Sequence, residues 1–200
     1  MKKAATIIFV FVISLMLSFP VYAQTAKEAV MGLKKLQARC QSGISYRDYS
    51  NAVADAKFPV NLFMESADAP KYPELTASID KVMKHYEYAG GLWNHKLSSR
   101  FAALIKCGSE LAVEINKLYP QAERNSALSK EDCYFVDSVF PVIWEAASKE
   151  LENTTKLLAK MEEYSSSELG NLKKENIDLR AEIARLQKEN AILKTKQKKK

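Results

Sequence analysis

Glycine and proline are scarce, six of each in 200 residues. Nowhere do β-branched residues alternate with polar ones for long. The first shortage leaves few chain breaks, and the second leaves no pattern for a sheet, so the sequence reads as helical throughout. Histidine occurs only twice, as His85 and His95, ten residues apart. On one helix that is almost three turns, too far to share a metal ion unless the helix bends between them. There is no G-x-G-x-x-G, P-loop or G-x-S-x-G, so no dinucleotide, nucleoside-triphosphate or serine-hydrolase signature is present. No C-x-x-C or C-x-x-C-H occurs either, which removes thioredoxin-type redox chemistry and haem attachment. These absences leave a protein expected to be non-enzymatic, with no cofactor, metal or small molecule identified.

What is present is concentrated at the C-terminus. Leu172, Leu179, Leu186 and Leu193 recur every seven residues. With these at heptad position d, position a holds Leu169, Asn176, Ile183 and Asn190. This pattern predicts a coiled-coil helix that needs a partner. Position g is Glu168, Glu175, Glu182 and Glu189, and position e is Lys173, Arg180, Gln187 and Lys194. A parallel, in-register homodimer would therefore form three opposite-sign g–e pairs and one neutral one, Glu182–Gln187. Asn176 and Asn190 cost stability but favour two strands in one register. A bZIP factor would carry a dense basic helix just upstream. Residues 145–168 are instead net acidic, so no nucleic-acid partner is expected.

Lys2 and Lys3 precede an apolar run from Ala4 to Phe19, closed by Pro20 and the V-x-A site at Val21–Ala23. This is the pattern of a secretory signal peptide, with cleavage expected after Ala23 and a periplasmic or secreted product. An uncleaved membrane anchor is the other reading of that run. The formal charge is +6. Residues 1–23 contribute +2, and residues 171–200 contribute ten basic minus four acidic, again +6. Residues 24–170 therefore carry −2. The basic character belongs to the tail, where Lys194, Lys196, Lys198, Lys199 and Lys200 cluster and suit a cell-wall polymer or an anionic lipid surface. Over Leu169–Lys200 the zipper with its terminal lysine resembles the bacterial murein lipoprotein, which joins such a lysine to peptidoglycan. The chain departs from that family in lacking a lipobox cysteine and in carrying asparagine at two a positions.

The expected organisation is a signal peptide (1–23), a bundle of about four to five helices (24–164), a flexible joint (165–170), and a coiled coil with a basic tail (171–200). Helix 1 is expected to stop at Ser42–Gly43, and Ser45 to cap helix 2, which Pro59 should kink or split. The apolar series from Leu75 to Leu118 predicts two helices or one bent sharply at Gly90–Gly91. Ser129–Asp132 is expected to cap the last head helix, which carries Phe135, Val139, Val142 and Trp144, with Pro141 as a kink. Three cysteines in an oxidising compartment allow one internal bridge. Cys107–Cys133 is expected, with Cys40 left unpaired. The functional expectation is an exported scaffolding protein that dimerises through the zipper. A ligand-binding or sensory bundle that relays its state to the coiled coil is the alternative.

Overall fold

The computed structural model describes residues 19–98, 103–123 and 132–197. Residues 1–18 of the expected signal peptide and Lys198–Lys200 lie outside the described residues. Among the described residues the protein is all-α, with five α-helices and one small two-stranded ribbon. No helix among them is long and apolar enough to cross a membrane. The chain divides into two compact units, residues 1–158 and 159–200.

In the first unit, α1 (Phe19–Gln41) and α2 (Tyr46–Met64) form a tight hairpin. Gly43 turns the chain with φ +83°, a conformation open to glycine without strain. Ser45 then caps α2, its hydroxyl accepting from the Asp48 amide at 3.2 Å. A small residue sets the spacing: a Cβ added to Gly32 of α1 would stand 3.5 Å from Ala56 Cα of α2. Pro59 lies inside α2 without ending it. A Cβ on Gly32 would stand 3.0 Å from Pro59 Cγ, so the missing side chain makes room for that ring. The expected split at Pro59 does not occur.

A 3₁₀ turn (Ala69–Lys71) leads to α3 (Pro73–Ser98), which buries Leu75, Ile79, Val82, Tyr86, Ala89 and Leu92 at helical spacing. The expected division into two helices at Gly90–Gly91 does not occur, because α3 runs through both residues. Neither has a positive φ. Gly90 faces the Tyr49 ring, where an added Cβ would sit 3.6 Å from Cε1. That glycine serves ring packing rather than a turn.

Beyond α3 the sequence reading needs its largest correction. Leu104–Lys106 is a strand, β1, and Asp132–Phe135 is a second, β2, where a helix cap was expected. They pair antiparallel, Leu104 opposite Phe135 and Ile105 opposite Tyr134, with an irregularity before Lys106 and Asp132. Ser129–Glu131 of the expected cap and Phe101 lie outside the described residues. Between the strands, Gly108 turns the chain at φ +78° and Ser109 caps α4 (Glu110–Leu118). The final helix, α5 (Val136–Gln197), contains Pro141 without interruption. Its first part buries Val139, Phe140, Ile143, Ala147 and Leu151. Ile143 is the core residue there, and neighbouring Val142 is only half-buried. Ser165–Gly170, expected as a joint, is helical.

Candidate functional site

The second unit consists of α5 from Ala159 onward. A continuous helix places every seventh residue on nearly the same line, so the d leucines form one stripe with Leu169 and Ile183 beside them. Leu169, Leu172, Leu179, Ile183, Leu186 and Leu193 are all exposed, each between 41% and 58%. Asn176 is half-buried and Asn190 exposed along the same seam. Scattered apolar residues on a surface need no explanation, whereas these six follow one heptad line along the helix. Glu182, at heptad position g, pairs within its own chain with Arg185 at 2.9 Å. The helix extends through Gln197, so Lys194 and Lys196 continue it.

The other sequence-predicted residues lie in the first unit. Cys107 and Cys133 are at disulfide distance, with Cα atoms 4.9 Å apart, and fasten β1 to β2. Cys40 is unpaired and buried. Burial pushes its thiol up to about 12, so at neutral pH it is protonated. His85 and His95 share the continuous helix α3, ten residues apart. His85 Nδ1 lies 2.8 Å from the Tyr119 hydroxyl. Burial, with the nearby Lys81 charge, holds that imidazole below its ordinary value. It is therefore a neutral hydrogen-bonding partner at pH 7.

The aromatics fill the core between α2, α3 and α5. Trp93 packs at ring-centroid distances of 5.3 Å from Tyr49 and 5.0 Å from Phe140. Phe140 in turn stacks on Trp144 at 5.7 Å. Tyr49 donates its hydroxyl to the Tyr86 carbonyl at 2.7 Å, which satisfies a fully buried phenol. Sequence reasoning missed a polar latch between α3 and α5. Ser78 donates to Glu150 Oε1 at 2.6 Å and lies 2.7 Å from the Thr154 hydroxyl. Lys81 pairs with Glu150 Oε2 at 2.7 Å. Ser78 and Lys81 could have been seen as one polar edge of α3, but nothing local points to Glu150, 72 residues away. With Thr154 fully buried, the latch is part of the packing between α3 and α5.

No protein-family model matches the chain, and neither the curated proteins nor the solved structures contain a match.

Proposed function

We propose that this is a non-enzymatic, exported scaffolding protein. It pairs with a second copy along residues 169–193 and presents Lys194, Lys196, Lys198, Lys199 and Lys200 to an anionic cell-wall polymer or lipid surface. The observation that supports this reading is the exposed stripe of Leu172, Leu179, Ile183, Leu186 and Leu193. A second copy is the occupant that the flanking charges suit. In a parallel dimer Glu168 meets Lys173, Glu175 meets Arg180, and Glu189 meets Lys194. Such exposed pairs add only a few tenths of a kcal/mol each, so they choose orientation more than they stabilise. Asn176 and Asn190 meet their own counterparts only in that register. In an antiparallel pair they would face apolar residues and be left without partners, at about 1–3 kcal/mol per buried group.

The seam residues are already partly covered by their own helix. Pairing then contributes about 1 kcal/mol per leucine, roughly half of full burial. Replacing Leu179 and Leu186 by aspartate removes four leucines from the dimer. That should weaken it by about 4 kcal/mol, near a thousandfold in Kd. Sedimentation equilibrium should show a dimer for the wild type and a monomer for the double variant, with the tryptophan-reported unfolding of the first unit unchanged. Wild-type protein sedimenting as a monomer at tens of micromolar would refute the dimer. For the tail, binding to anionic vesicles or cell-wall polymer should weaken sharply with salt. Binding unaltered by removal of Thr195–Lys200 would refute the tail's part.

A further inference from the structure

An open groove runs between α1 and α2. One lip is a ridge of α1 on which Lys27, Met31, Lys35 and Arg39 follow one another at every fourth residue. It is about 18 Å long at 1.5 Å per residue. The other lip is Phe58 and Leu62 of α2, and Gly32 and Pro59 lie between. Met31, Phe58 and Leu62 are 50%, 68% and 44% exposed, although α2 buries its opposite face completely.

Size and charge both narrow the occupant. The groove holds about 640 Å³, within the range of about 300–1,000 Å³ typical of small-molecule sites. A single extended chain can lie along it against Met31, Phe58 and Leu62. The charge lining it is net basic, Lys27, Lys35 and Arg39 against Glu28 and Asp55, while residues 24–170 together are net −2. Lys35 and Arg39 stand one turn apart at the same end of the groove. Arg39 touches Asp55 at 3.4 Å, but both side chains are largely exposed, so that pair is weak. A guanidinium has five N–H donors, and one ion pair leaves others for a carboxylate.

We infer that the α1–α2 groove binds a free single-chain anionic amphiphile of the fatty-acid class. The acyl chain lies against Met31, Phe58 and Leu62, and the carboxylate pairs with Lys35 and Arg39. This site is independent of the coiled coil and of the lysine tail.

The test is calorimetric titration of the full-length protein with sodium laurate below its micellar concentration. One laurate should bind per chain, and dodecyltrimethylammonium, with the same tail and opposite charge, should bind at least about tenfold more weakly. Phe58→Ala combined with Leu62→Ala should weaken laurate binding by at least about tenfold. Lys35→Glu should weaken it about two- to fivefold. All three positions are on the surface, and tryptophan-monitored melting checks that the fold is kept. A chain ending at Leu193 should bind laurate as the full chain does. Equal affinity for the two amphiphiles, no heat with laurate, or laurate binding indifferent to Phe58 and Leu62 would each overturn the inference. So would phosphatidylglycerol vesicles that bind through Phe58 and Leu62 when soluble laurate does not, since the groove would then be a membrane contact.

Discussion

Glu150 joins α5 to α3 through one carboxylate, so a single substitution tests the latch. Its side chain is 14% exposed and receives hydrogen bonds from Ser78 at 2.6 Å, Lys81 at 2.7 Å and Asn153 at 3.2 Å. Glu150→Ala would remove the carboxylate acceptor of Ser78, whose hydroxyl keeps Thr154 as a partner, and leave Lys81 without its own. Hydrogen bonds to a charged group contribute about 1.5–3 kcal/mol, more than neutral ones. Lys81 is 62% exposed, so its share is small after solvent screening. The expected loss is about 2–3 kcal/mol, or roughly 6–12 °C in Tm for a domain of this size. Glu150→Gln keeps the shape and one acceptor and should cost about half as much. Trp93 and Trp144, the two tryptophans of the chain, both lie in the first unit, so their fluorescence reports this transition separately from the zipper. The same group predicts a pH dependence. Burial alone would raise the Glu150 carboxyl, but the bonds from Lys81, Ser78 and Asn153 outweigh it and hold the carboxyl below its ordinary value of about 4.5. A depressed carboxyl contributes stability that is full above its unfolded value and is lost as pH falls through the folded one. The Glu150→Ala penalty should therefore be complete at pH 6–7 and shrink below about pH 4.5. A melting temperature within 1 °C of wild type at neutral pH, or a penalty that grows on acidification, would refute the latch.

Three further outcomes are expected. The Cys107–Cys133 bridge spans 26 residues, which corresponds to about 3.5 kcal/mol of restriction on the unfolded chain. Reductant should lower the melting temperature accordingly, and non-reducing peptide mapping should recover that pair. With its thiol held near 12, Cys40 carries about one thiolate in ten thousand at pH 8. Iodoacetamide should leave it unmodified in the native protein and label it once the chain is unfolded. Gly91 lies within α3 with open space where its Cβ would be. Gly91→Ala should raise stability by about 1 kcal/mol through helix propensity, measured by denaturant unfolding, whereas a hinge at that position would lose stability.

The sequence by itself determined what depends on near neighbours. The stripe Val30, Leu33, Leu36 and Cys40 is legible at helical spacing and is the buried face of α1. The stop at Gly43 and the cap at Ser45 were legible because a left-handed turn and an N-cap each need particular residues within four positions. The heptad of α5 was legible for the same reason, as was the Cys107–Cys133 pair, whose cysteines flank one loop. Tertiary structure decided the rest. Three residues, Leu104–Lys106, are too few for a period of two to stand out from helical spacing, and only pairing with Asp132–Phe135 makes them a strand. Gly90–Gly91 and Pro59 read as breaks because intrinsic propensity disfavours them in helices. Tyr49 against Gly90, and Gly32 beneath Pro59, are contacts from other helices that turn both into packing positions. The Ser78–Glu150 latch and the α1–α2 groove depend on side chains brought together from separate helices, an arrangement that no local pattern encodes.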